Sequence, residues 1–172
     1  MTQKLNLPAW RRPEACLALL AALPPERHNR ALYELLWCFE GDNLDAAQYA
    51  VWQALLHDCR FQGLQNVHHW LSELMLGEYA LSALWAEICP VIDRLHPETC
   101  GTFGDYLYLY GDADEQQLVA IMDWLLQHNS RNARYAAFSA LLRLPAQGGC
   151  LRPEWPVWLA AEIDRRRNEY RD

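Results

Sequence analysis

Apolar residues recur along this chain at the spacing of a helix face. Leu32, Leu35, Leu36 and Phe39 stand at i, i+3, i+4 and i+7, as do Val67, Trp70, Leu71 and Leu74. Leu81, Leu84, Trp85 and Ile88 repeat the template, and so do Leu118, Ile121, Met122 and Leu125. With 3.6 residues per turn, each set lines one side of a helix and leaves the other side polar. Punctuation falls between the stripes. Pro13, Pro25 and Pro153 stand where a first helical turn tolerates a missing N–H, and each is followed by a glutamate that favours the positive end of the helix. Asp112 with Glu115 forms a capping-box pattern, Gly41 and Gly77 are helix stops, and Asn129 suits a helix end.

These signals predict helices over 13–23, 25–40, 43–60, 64–76, 78–95, 113–128, 131–144 and 153–169. Pro90 interrupts the fifth, but Ile88, Val91, Ile92 and Leu95 keep the stripe in phase across it, so the expectation is a kinked helix. The stretch from Phe103 to Tyr110 alternates like a short strand, yet no second strand is evident to pair with it, and a short helix is the preferred reading. Short connections make successive helices antiparallel neighbours. The expected fold is therefore all-α: one domain over 1–172, about eight helices, arranged as an irregular helical array or a bundle.

Residues 113–144 form the clearest hairpin. Its second helix, Ser130-Arg131-Asn132-Ala133-Arg134-Tyr135-Ala136-Ala137-Phe138-Ser139-Ala140-Leu141-Leu142, resembles the inner helix of a HEAT-type repeat, in which small residues let helices approach and leucines fill the seam. The rest of the chain shows no strict repeat period.

Composition narrows the class. At 172 residues with 52% hydrophobic and 22% charged residues, the chain can build its own core without disulfides or a metal. Its six cysteines include no CxxC pair, which argues against a zinc knuckle or a redox couple and for reduced thiols in a cytoplasmic protein. A net charge of -7 argues against nucleic acid as a partner. No apolar run reaches the ~18 residues of a membrane span.

The charge is unevenly spread. Residues 61–128 hold ten acids against the single Arg94, whereas residues 129–172 hold eight arginines against five acids. The densest mixture of acids and aromatics is Asp105, Tyr106, Tyr108, Tyr110, Asp112, Asp114 and Glu115. One reading is a solvated surface; the other is a docking face for a basic protein, with acids steering the encounter and tyrosines as anchors. Most of the eight tryptophans fall on the apolar stripes and are read as core filling, with Trp10, beside Arg11 and Arg12, the first candidate for exposure. Arg165-Arg166-Arg167, opposed by Glu162, Asp164 and Glu169, reads as an exposed helix end, with phosphate binding as its lesser reading.

Catalytic signatures are missing: no GxxxxGK[ST], GxGxxG, HExxH, GxSxG or EF-hand pattern occurs. His57, Cys59, His68 and His69 diverge on their helices rather than converge on a metal, and His96 with Cys100 brackets what reads as an ordinary loop, leaving a Cys–His nucleophile as a minor reading. The chain is expected to be no enzyme and to need no cofactor or metal. In size, helicity, acidity and lack of catalytic motifs it is similar to small bacterial immunity proteins. That resemblance implies an inhibitor that occludes the active site of a cognate toxin through an acidic, aromatic face. The alternative expectation is a helical chaperone, maturation factor or regulatory adaptor. A helical array can also form a homodimer through exposed aromatics.

Overall fold

The computed structural model describes residues 11–39, 45–77, 79–110, 115–144 and 152–169. Among them are nine α-helices and no strand: α1 (Pro13–Ala21), α2 (Pro25–Trp37), α3 (Asp45–His57), α4 (Val67–Leu76), α5 (Leu81–Ile88), α6 (Pro97–Tyr106), α7 (Glu115–Gln127), α8 (Arg131–Arg143) and α9 (Glu154–Glu169). The all-α expectation holds. Pro13 and Pro25 each occupy a first turn, and Gly77 ends α4 with its N–H donated to Glu73 O at 2.9 Å. Gly41, Asp112 and Cys150 lie outside the described residues.

Two local expectations need correction. The stretch around His96 and Cys100, read as a loop, opens α6. His96 is its N-cap, with Nδ1 accepting from Glu98 N–H at 3.2 Å, and Pro97 sits in the first turn. Pro97-Glu98 repeats the start signal of Pro13-Glu14 and Pro25-Glu26, but Gly101 and Gly104 are poor helix formers and masked the helix that follows. A 3-10 segment over Leu107–Tyr110 then continues α6, so the strand-like alternation there is helical. At Pro90 the predicted kink is a change of helix type: α5 gives way to a 3-10 segment over Cys89–Arg94. Pro90 offers no N–H and its ring crowds the carbonyl of the preceding turn, which the tighter winding accommodates.

The helices stack in two layers. α1, α3, α5 and α7 pack each against the next, as do α2, α4, α6 and α8, while the hairpins α1–α2, α3–α4 and α7–α8 join the layers. Neighbours within a layer run parallel. In the first layer Tyr49 donates to Ala83 O at 3.5 Å and Gln53 to Glu87 at 2.7 Å, both spanning 34 residues. In the second, Asn66 N–H donates to the Asn29 side chain at 2.7 Å and Trp70 Nε1 to Leu32 O at 3.1 Å, spanning 37 and 38. A repeat that the sequence does not display is therefore present in space: helix–turn–helix units, each set on the one before, in the manner of HEAT-like arrays. The array, not the bundle, is the arrangement adopted.

The core is the seam between the layers. Trp52, Trp70, Phe61 and Phe103 are fully buried, with leucines from almost every helix, and Trp155 of α9 is buried with them. Burying a large apolar side chain contributes about 1.5–3 kcal/mol. The tightest contact lies between α6 and α8. A Cβ added at Gly104 would lie 2.1 Å from Ala136 O, and one at Gly101 would lie 2.8 Å from the Tyr135 ring. Ala133, Ala136, Ala137 and Ala140 line the facing side, all buried. At the start of α8, buried Asn132 donates to both Ile92 O and Leu95 O at 2.8 Å, tying α8 to the end of the 3-10 segment.

Candidate functional site

The acidic-aromatic cluster lies where α6 ends. Tyr110 is closed to any partner: it is buried, and its hydroxyl donates to Tyr79 O at 2.9 Å and stands 3.5 Å from Met75 O. The phenol ties the end of the 3-10 segment to the end of α4, so its role is structural rather than that of an exposed anchor. Tyr106 and Tyr108 are half-buried, with their rings against the core. Asp105 is half-buried 3.6 Å from the Arg143 guanidinium; burial holds its carboxyl above the ordinary carboxylate range despite that arginine. Glu115 is exposed at the first position of α7. Asp112 and Asp114 lie outside the described residues.

The acidic block is less free than its sequence suggests. Glu87 accepts from His57 at 2.6 Å and from Gln53. Asp93 stands 3.3 Å from His128, and hydrogen bonds from Ser130 and His128 hold its carboxyl below the usual range. Asp123 accepts from Arg152 at 2.8 Å. Folding thus sets arginines of the basic third against acids of the middle third, through Arg143–Asp105 and Arg152–Asp123. Glu73, Glu98 and Glu115 remain as exposed acids.

A feature that sequence reading missed adjoins the cluster. Trp37 is 52% exposed, Leu76 54%, Leu109 42% and Leu142 52%. All four lie on the second layer, at the last residue of α2, the last of α4, the 3-10 extension of α6 and the last turn of α8. Because these helices run parallel, their C-terminal ends share one edge of the array. Tyr110 bonded to the end of α4 brings Leu109 and Leu76 together, and the Asp105–Arg143 pair brings Leu142 to the same edge. Unlike the buried tryptophans, Trp37 packs edge-on against Tyr33, which in turn meets His69. The available signal was an apolar residue in each last turn that steps off the buried stripe.

The other candidates resolve into structure. Cys100 is 1% exposed with its thiol directed at Ile92 O, and burial, aided by Asp93, pushes it up to about 12. His96 uses Nδ1 as a helix cap, so the pair does not form a nucleophile and base. Cys16 is likewise pushed up to about 11, by burial and then by nearby Cys38. None of the described cysteines forms a disulfide. Among the described residues no three His, Cys, Asp or Glu side chains converge as metal ligands, and no helix is long and apolar enough to cross a membrane.

The terminal arginine run is also more than an exposed helix end. Glu162 of α9 is fully buried and accepts from Arg165, Arg134 and Arg166, the first two contacts of Arg165 lying at 2.6 and 2.9 Å. Burial alone would raise its carboxyl; the arginine hydrogen bonds outweigh that and hold it at about 2. Trp158 and Phe138 flank the cluster, with Arg134 5.8 Å and Arg166 4.2 Å from their ring centres. One carboxylate thus gathers three guanidiniums at the junction of α8 and α9. Compared with known proteins, the chain matches no family model, no curated protein and no solved structure, so its functional reading stands on this geometry alone.

Proposed function

We propose that this protein is a protein-binding inhibitor that covers a basic partner, in the manner of an immunity protein occluding the active site of its toxin. The observation that carries the reading is the edge row of Trp37, Leu76, Leu109 and Leu142, one exposed apolar side chain from each successive repeat. A row of this kind supplies apolar anchors at regular spacing along a stiff surface, which is how repeat arrays engage extended partner surfaces. Exposed Glu73, in the last turn of α4, borders the row with no ion pair among the described residues, and the Arg30–Glu34 and Arg143–Asp105 pairs stand beside it. Apolar anchors beside the Glu73 carboxylate favour a partner that brings a basic group to the rim. Inhibition then needs no chemistry from this chain: the bound array excludes substrate from the surface it covers.

The exposed leucines also favour a second reading, a maturation factor that holds an apolar peptide. One experiment separates the two. Tagged full-length protein is used to capture partners from its source lysate, with salt-gradient elution, beside the Trp37→Glu and Leu109→Glu variants. The inhibitor reading expects one stoichiometric basic protein that elutes with salt, is lost with both variants, and is toxic to cells unless this chain is co-expressed. Salt-insensitive capture of apolar segments, or a partner retained by both variants, would overturn it.

A further inference from the structure

The opposite end of the second layer has a different chemistry. Where α6 and α8 begin, Pro97, Arg131, Tyr135, Arg165, Arg166 and Glu169 line a cavity of about 730 Å³. Pro97 and Arg131 are the first residues of two parallel helices, so both helix dipoles present their positive ends there. Among the described residues, the ion pairs of Arg134, Arg165 and Arg166 in and directly behind the cavity run to Glu162 and Glu169 alone and Arg131 makes none, so four guanidiniums share two carboxylates.

The donors divide into those that build the wall and those left for a ligand. Each nitrogen of Arg165 already has an acceptor: Nε and Nη2 go to Glu162 and Nη1 to Glu169. Arg166 gives only Nε to Glu162, at 3.0 Å, so both terminal nitrogens lack a protein acceptor among the described residues. Its plane is nevertheless held, because the guanidinium lies over Phe138 and 5.4 Å from the Tyr135 ring centre. Arg131 is exposed and makes no ion pair among the described residues. A guanidinium fixed by a buried carboxylate presents two N–H groups to an oxyanion with little ordering cost.

We propose that this cavity binds the dianionic phosphate of a small phosphomonoester, with Arg166 and Arg131 holding the oxygens and the Tyr135 ring bordering the organic part. Four guanidiniums that share two carboxylates match a dianion better than a carboxylate. The volume far exceeds one phosphate, leaving room beside Tyr135 for the remainder of the molecule. The site lies at the other end of the array from the apolar row, and its occupancy does not depend on the protein-binding reading.

The test is calorimetric titration of the full chain with inorganic phosphate and with phenyl phosphate, in chloride buffer at fixed ionic strength. Saturable one-to-one binding is expected for both, tighter for phenyl phosphate. Arg131→Gln should weaken phenyl phosphate at least tenfold while leaving the unliganded melting temperature unchanged, because the exposed Arg131 side chain makes no ion pair or hydrogen bond among the described residues. Arg30→Gln, which removes an exposed arginine of α2, should bind as the parent does. No saturable binding of either probe, or equal affinity in Arg131→Gln and the parent, would overturn the assignment. Arg166→Gln adds a check: lost affinity with an unchanged circular dichroism spectrum supports the site, and full retention of binding refutes it.

Discussion

The α2–α4 and α6–α8 seams do the same architectural work with opposite materials. Both join parallel neighbours of the second layer. Between α2 and α4 the space is filled: Trp70 inserts under α2, packs edge-on against Phe39 at 5.3 Å and donates to Leu32 O, while Asn66 donates two hydrogen bonds to Asn29. Between α6 and α8 the space is removed: Gly101 and Gly104 face alanines, and backbone approaches backbone. A filled seam is sensitive to deletion of atoms, and a closed one to their addition. Equivalent positions of successive repeats thus hold residues with no chemical likeness, which is why no sequence period announces the array.

The comparison can be broken at either seam. Trp70→Ala should cost about 3–5 kcal/mol, since it empties a fully buried site and removes the Nε1 hydrogen bond to Leu32 O. Denaturant unfolding would read this; a loss under ~1 kcal/mol would mean that the seam collapses to fill the gap. Gly104→Ala should cost about 3 kcal/mol, because its methyl meets backbone that cannot rotate away. Gly101→Ala meets the Tyr135 ring, which can swing, so about 1 kcal/mol is expected. Equal losses at the two glycines, measured by thermal melts of both variants, would contradict the close backbone approach assigned to Gly104.

The α8–α9 junction offers a third kind of seam, held by charge, and pH tests it. The Glu162 carboxyl lies at about 2 in the fold against an ordinary 4.5. A depressed carboxylate stabilises fully above its unfolded value, and that contribution drains away as pH falls from about 4.5 toward 2. The shift corresponds to about 3 kcal/mol at neutral pH. Glu162→Gln should therefore be destabilised at pH 7 and show a flatter stability profile between pH 5 and 2. Parallel acid profiles for the parent and the variant would remove Glu162 as the titrating group.

Legibility differed between helices and the surfaces they build. The stripes of Leu32–Phe39, Val67–Leu74 and Leu118–Leu125 marked their buried faces, because periodic burial leaves a periodic trace. α6 was hidden because the glycines that let it pack on α8 are the residues that weaken its helical signal. Of the acidic-aromatic cluster, the sequence marked the right neighbourhood but not the roles. Tyr110 was indistinguishable from Tyr108 until its hydroxyl met the end of α4.

Charge shows the same division. Segment counts along the chain set the middle third apart as acidic, yet they carry no information about which arginine crosses to which acid. Arg143 and Arg152 reach Asp105 and Asp123 only because α8 and α9 return to the side of α6 and α7. What the sequence by itself determined is the local matter: helix faces, start signals, the capacity for a core, and the catalytic motifs it lacks. These depend on neighbours within a few turns. Only the tertiary structure decided the parallel two-layer stacking, the apolar row along one edge and the arginine cavity at the other. Each of these joins residues about one repeat apart, whose proximity follows from packing and leaves no mark on the chain between them.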